Sequence, residues 1–122
     1  MDRMTPPTQA SASGRLQLQA TMKYGRVLKG LTLEQLSEIV RVLGPGSPFV
    51  VVERMDDTEG NYYVQACRRD DGTWIVEYRD GDRSHHYQAD ASGPGIIYRV
   101  LAGWALQLPG WRQGLTWRPV YQ

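Results

Sequence analysis

Between Phe49 and Ala89 the chain passes through four short strand-like stretches, Phe49 to Met55, Asn61 to Arg68, Thr73 to Arg79 and Asp82 to Ala89, divided by polar breaks containing Gly60, Gly72 and Gly81. Breaks this short leave no room for a crossover helix, so neighbouring stretches have to pair as antiparallel hairpins. The spacing therefore predicts a four-stranded meander. Two of the breaks also predict register. Asp80-Gly81 tolerates positive φ at both central positions of a two-residue turn, which sets Arg79 opposite Asp82. Asp70-Asp71-Gly72 fits a three-residue loop with Gly72 left-handed, a choice that collects the apolar residues of both strands on one face, where a one-residue slip would mix them.

Under that register Trp74, Val76 and Tyr78 share a face with Val64 and Ala66 and with Tyr87, His85 and Arg83. This face reads as core. On the other, Gln65, Glu77 and Ser84 form a row across neighbouring strands, flanked by Tyr63, Arg79 and Asp82 on one side and by Cys67, Ile75 and His86 on the other. Half-solvated antiparallel sheets carry a polar face as a matter of course, and solvation alone is its plainer account. Its mixture of amide, carboxylate, imidazole and guanidinium groups, in place of the usual Lys, Glu and Thr, makes Tyr63, Gln65, Glu77, Arg79, Ser84 and His86 the candidate partner- or ligand-binding residues.

Glu77 and His86 are the catalytic candidates if the chain is an enzyme, since a carboxylate beside an imidazole raises the imidazole's pKa toward useful values. No nucleophile elbow, phosphate-cradling glycine loop or metal-ligand cluster accompanies them, so a binding role is favoured and neither metal nor cofactor is expected. The adjacent His85 and His86 diverge on a strand and make a poor metal pair. Cys67 has no neighbouring base and reads as a structural thiol.

Around the meander, Thr32 and Gln35 fit a capping box ahead of Leu33, Leu36, Ile39, Val40 and Leu43, which recur at helical spacing up to Gly44-Pro45. Ile96, Ile97, Val100, Leu101, Trp104, Ala105 and Leu108 predict a second amphipathic helix ending at Pro109-Gly110. Leu16, Leu18, Ala20 and Met22 alternate with polar residues as in a half-buried strand, and Leu115 to Val120 could return as an edge strand. Trp111 and Trp117 either close the core or present aromatic anchors with Arg112 and Arg118; closing the core is favoured. The predicted architecture is α+β, an antiparallel meander sheet of four to six strands with two helices packed on one face. Residues 1–14, rich in Pro and Ser, are expected to form a disordered tail before a single domain spanning 15–122.

Length and charge narrow the function. At 122 residues there is room for one domain, and a net charge of +1 gives no field to attract nucleic acid or an anionic membrane. One cysteine, no signal-peptide pattern and no apolar run near the roughly 18 residues of a membrane span point to the cytoplasm.

The stretch YYVQACRRDDGTWIVEYRDGDRSHHYQA, Tyr62 to Ala89, followed by a helix and the closing GWRQGLTWRPV, resembles the small immunity proteins encoded beside bacterial polymorphic toxins, over about residues 31 to 120. That resemblance implies a non-enzymatic protein that neutralises a cognate toxin, often a nuclease or deaminase domain, by binding it stoichiometrically. Motif matching carries over Gln65, Glu77, Tyr78 and Trp117; with Tyr78 assigned to the core, Gln65 and Glu77 stand as candidate contacts. The sequence departs from the family in the roughly thirty residues before the first helix, which could extend a sheet edge, pair two copies as a homodimer through the N-terminal strand, or close a pocket. The alternative is a small enzyme or ligand-binding protein of a biosynthetic pathway, with Tyr63, Glu77, Ser84 and His86 lining a pocket on the polar face.

Overall fold

A computed structural model describes residues 14–120. The expected disordered tail falls outside the described residues but for Gly14. Along the chain lie β1 (Leu18–Met22), β2 (Val27–Lys29), α1 (Leu33–Arg41), β3 (Phe49–Arg54), β4 (Tyr62–Arg68), β5 (Trp74–Asp80), β6 (His86–Ala91), α2 (Pro94–Ala105) and β7 (Arg118–Pro119). The strands form one antiparallel sheet in the order β2-β1-β3-β4-β5-β6-β7. This α+β fold is the predicted meander extended at both edges, with seven strands against the four to six expected.

The additional strand is β2. Tyr24 and Gly25 both take positive φ, 64° and 72°, and fold the chain back so that Ala20 pairs with Leu28. Because β1 sits between β2 and β3, both its edges are paired within the chain, and among the described residues the edge strand on this side is β2.

Burial alternates along β1, β3 and β4 and, apart from the outward but buried Ile75, along β5, and the inward set packs into one cluster with the helices. Leu18, Ala20, Val50, Val52, Val64, Ala66, Val76 and Ala89 are fully buried on the core face, against Leu36 and Val40 of α1 and Ile97, Val100 and Leu101 of α2. Each fully buried Leu, Ile or Val contributes about 1.5–3 kcal/mol relative to exposure, so this face dominates the stability.

The capping box of α1 is complete. Thr32 Oγ1 accepts from the Gln35 amide at 3.1 Å, and Gln35 Oε1 accepts from the Thr32 amide at 2.8 Å. Helix α2 stops at Ala105, three residues before the predicted last apolar position Leu108, because the chain closes a Schellman motif: the Leu108 amide donates to the Gly103 carbonyl (2.9 Å) and the Gln107 amide to that of Trp104 (3.1 Å).

The Asp70-Asp71-Gly72 loop has the predicted register. Gly72 is left-handed at φ 86°, and Gln65 lies opposite Glu77. The β5–β6 turn does not: Arg79 pairs with His86, not with Asp82. Asp82 begins a 3-10 turn over Arg83–His85, its Oδ1 accepting from the Ser84 amide (2.9 Å) and hydroxyl (2.6 Å). These local bonds outcompete the two-residue turn. Arg83, Ser84 and His85 are therefore exposed turn residues, and neither Arg83 nor His85 reaches the core face assigned to it.

The C-terminal segment closes the core through its tryptophans. Trp111 and Trp117 each meet the Tyr78 ring edge-on with centroids 5.0 Å apart, and Trp111 packs so tightly on Gly103 that a Cβ there would lie 2.8 Å from Trp111 Cβ. Among the described residues, no helix is long and apolar enough to cross a membrane.

Candidate functional site

The outward face is ordered by the same registers. Gln65, Glu77, Gln88 and Arg118 align in one row across β4 to β7, and Glu53, Tyr63, Arg79 and His86 in the next across β3 to β6. The structure thus brings five of the six candidates, Tyr63, Gln65, Glu77, Arg79 and His86, to one surface and leaves Ser84 out. Moving the β6 register by four residues, from Ser84 to Gln88 opposite Glu77, gives Ser84's expected place to Gln88.

His86 is the hub of this face, with only 5% of its surface exposed. Arg79 Nε donates to its Nδ1 at 3.2 Å. A guanidinium N–H can only donate, so Nδ1 accepts, the imidazole proton sits on Nε2, and Nε2–H donates to Glu77 Oε1 at 2.8 Å. The other carboxylate oxygen accepts from Gln88 Nε2 at 3.4 Å, Gln88 Oε1 accepts from Arg118 Nε at 3.1 Å, and Arg118 also bonds Asp90 at 3.3 Å. Tyr63 stands edge-on to the imidazole with centroids 5.8 Å apart, and burial, reinforced by the Glu77 and Glu53 charges and opposed by Arg79, raises its phenol above the ordinary value. A buried polar group without partners would cost several kcal/mol; the buried His86 imidazole has a partner at both nitrogens.

Chemically, this is a fixed donor–acceptor pattern. A general base needs a lone pair turned toward substrate, whereas the His86 lone pair is held by Arg79 and both Glu77 oxygens are engaged. The open hydrogen-bonding capacity lies beside the network: the Gln65 carboxamide bonds to no described residue, and the terminal nitrogens of Arg79 make no hydrogen bond within the described chain.

Ser84 is bound into its own turn. Its hydroxyl bond to Asp82, then that of His85 and the Ser84 amide, hold the Asp82 carboxyl down at about 2. Cys67 is half-buried on the polar face, and desolvation, aided by Glu77 and Asp70 and opposed by Arg69, raises its thiol pKa, which disfavours the reactive thiolate. Among the described residues no group of His, Cys, Asp or Glu gathers as a metal site.

None of the four principal clefts is lined by Tyr63, Gln65, Glu77, Arg79 or His86. The two largest, about 490 and about 620 Å³, adjoin at one end of the sheet and share Arg54, Asp80, Trp104 and Gln107. Gln88 escaped the sequence reading, and Arg118, read there only beside the C-terminal tryptophans, was not placed on this face, because both placements depend on the longer β5–β6 turn. Arg54 and Gln107 escaped because neither carries a local signal for the clefts they line. No family model, curated protein or solved structure matches the chain.

Proposed function

We propose that this chain is a non-enzymatic binding protein of the immunity type that its strand motifs resemble, neutralising a cognate toxin by stoichiometric association through the polar sheet face. The observation that carries the reading is the closed network around His86. With both imidazole nitrogens and both Glu77 oxygens engaged, the face is a rigid hydrogen-bonding template, and a partner docking on it has few side chains left to order. Gln65 and the outer nitrogens of Arg79 supply the unsatisfied groups that a partner would pair. A pocket on this face draws no support from the clefts, which open elsewhere.

The test is co-expression with the product of the adjacent gene. A stable complex and protection of cells, both lost in Gln65→Arg, support the reading; no complex, or protection indifferent to Gln65→Arg and Arg79→Gln, sinks it.

A further inference from the structure

The two adjoining clefts at the end of the sheet carry an inference independent of the polar face. Arg54, at the end of β3, lays its guanidinium over the Trp104 ring at 4.6 Å, and Arg112 lies over Tyr78 and Trp111 at 5.4 and 5.5 Å while donating to the Tyr78 hydroxyl at 2.8 Å. Neither makes an ion pair within the described chain and Arg54 makes no hydrogen bond there, although Asp56, Asp57 and Asp80 lie near enough to favour its charged form. Aromatic faces hold both cations in place, and only one Arg112 nitrogen is spent, on the Tyr78 hydroxyl.

Donors dominate this cleft of about 490 Å³. Besides the guanidiniums it is lined by the carboxamides of Gln107 and Gln113 and by two indoles, against a single carboxylate, Asp80. The Trp104 indole N–H has no hydrogen-bond partner among the described residues although the residue is only 7% exposed, and a buried orphan donor of this kind calls for an acceptor. Gln107 is the second sign. It occupies the left-handed position of the Schellman motif at φ 55°, where glycine is the unstrained choice, and its side chain lines both clefts.

We infer that this cleft is a binding site for a compact oxyanion, a carboxylate or phosphate group received by Arg54 and Arg112 with Gln107 and the Trp104 indole as neutral donors. Planar guanidiniums suit the two-oxygen edge of either group. The adjoining cleft is lined by Asp56, Asp57 and Glu59, whose charges repel an extended polyanion, so the ligand carries one anionic group and is not a nucleic acid.

The test is a titration of the ¹⁵N-labelled chain with sodium phosphate and, separately, sodium acetate, at ionic strength held constant with sodium chloride. Saturable shifts are expected for the Arg54 Nε–H and Trp104 indole signals, with that of Trp74, which lies outside the cleft, unmoved. Arg54→Lys and Arg112→Gln should each weaken the response at least tenfold, and Gln107→Gly should weaken it while raising the urea midpoint. Saturation by phosphate alone assigns a phosphoryl ligand, by acetate alone a carboxylate. Absence of saturation with both, or saturation unaltered in Arg54→Lys and Arg112→Gln, overturns the site.

Discussion

Replacing Gly103 by alanine gives a prediction whose sign is diagnostic. On helix propensity alone the substitution stabilises α2 by about 1 kcal/mol. In this structure the new methyl would lie 2.8 Å from Trp111 Cβ and 3.5 Å from its Cα. Carbon atoms pack best at roughly 3.5–4.0 Å, so the helix and the Trp111 segment would have to part by about 0.7–1.2 Å. The obstacle lies at the root of the side chain, and no rotamer change of Trp111 relieves it. Overpacking of this kind costs about 1–3 kcal/mol. Displacing Trp111 also disturbs its edge-to-face contacts with Tyr78 and Trp117, worth about 0.5–1.5 kcal/mol each. The net expectation is destabilisation by about 1–3 kcal/mol, measured by urea unfolding followed by tryptophan fluorescence. In a Trp111→Gly background the same change should become stabilising, because the clashing Cβ is gone. Stabilisation by about 1 kcal/mol in the otherwise native chain would refute the docking of Trp111 on α2.

Three further outcomes follow from the bonds described. Thr32→Ala removes half the α1 capping box and should lower unfolding free energy by about 1 kcal/mol in the same assay. Glu77→Gln turns an amide donor toward either His86 or Gln88, which already donate, and should cost about 1–2 kcal/mol by leaving a part-buried donor unmatched. Asp82 is held at about 2, below its unfolded value near 3.9, so its contribution is complete above about pH 4 and is lost as pH falls through about 2. The urea midpoints of the native chain and Asp82→Ala should therefore differ at pH 6 and converge toward pH 2; a gap that widens on acidification would contradict the turn.

How far the fold could be read ahead depended on whether local chemistry and burial pointed the same way. At Asp70-Asp71-Gly72 they did: a left-handed glycine and the apolar faces of β4 and β5 demanded one register, and Gln65 lies opposite Glu77 as expected. At Asp80-Gly81 the turn dipeptide competed with the Asp82-Ser84 bonds just after it, and the longer turn won. Since the partner of Glu77 moved by an even number of residues, from Ser84 to Gln88, the side chains kept their faces, and Glu77, Arg79 and His86 still meet. The β1–β2 hairpin was hidden because its turn places a tyrosine, not a glycine, at the first left-handed position. The clefts at the sheet end were illegible for a different reason: Arg54 lies far in sequence from Gln107 and Arg112, and they converge only once α2 is capped and Trp111 has docked.

The central claim, that the polar face is a preformed protein-binding surface, is tested most directly by titrating the chain calorimetrically with the product of its adjacent gene. The account predicts one-to-one binding, weakened at least about 30-fold by Gln65→Arg, the effect of a strong interface residue, and unchanged by Glu34→Gln on the exposed side of α1. Binding that is equally strong with arginine at position 65, or no binding at all, would contradict it.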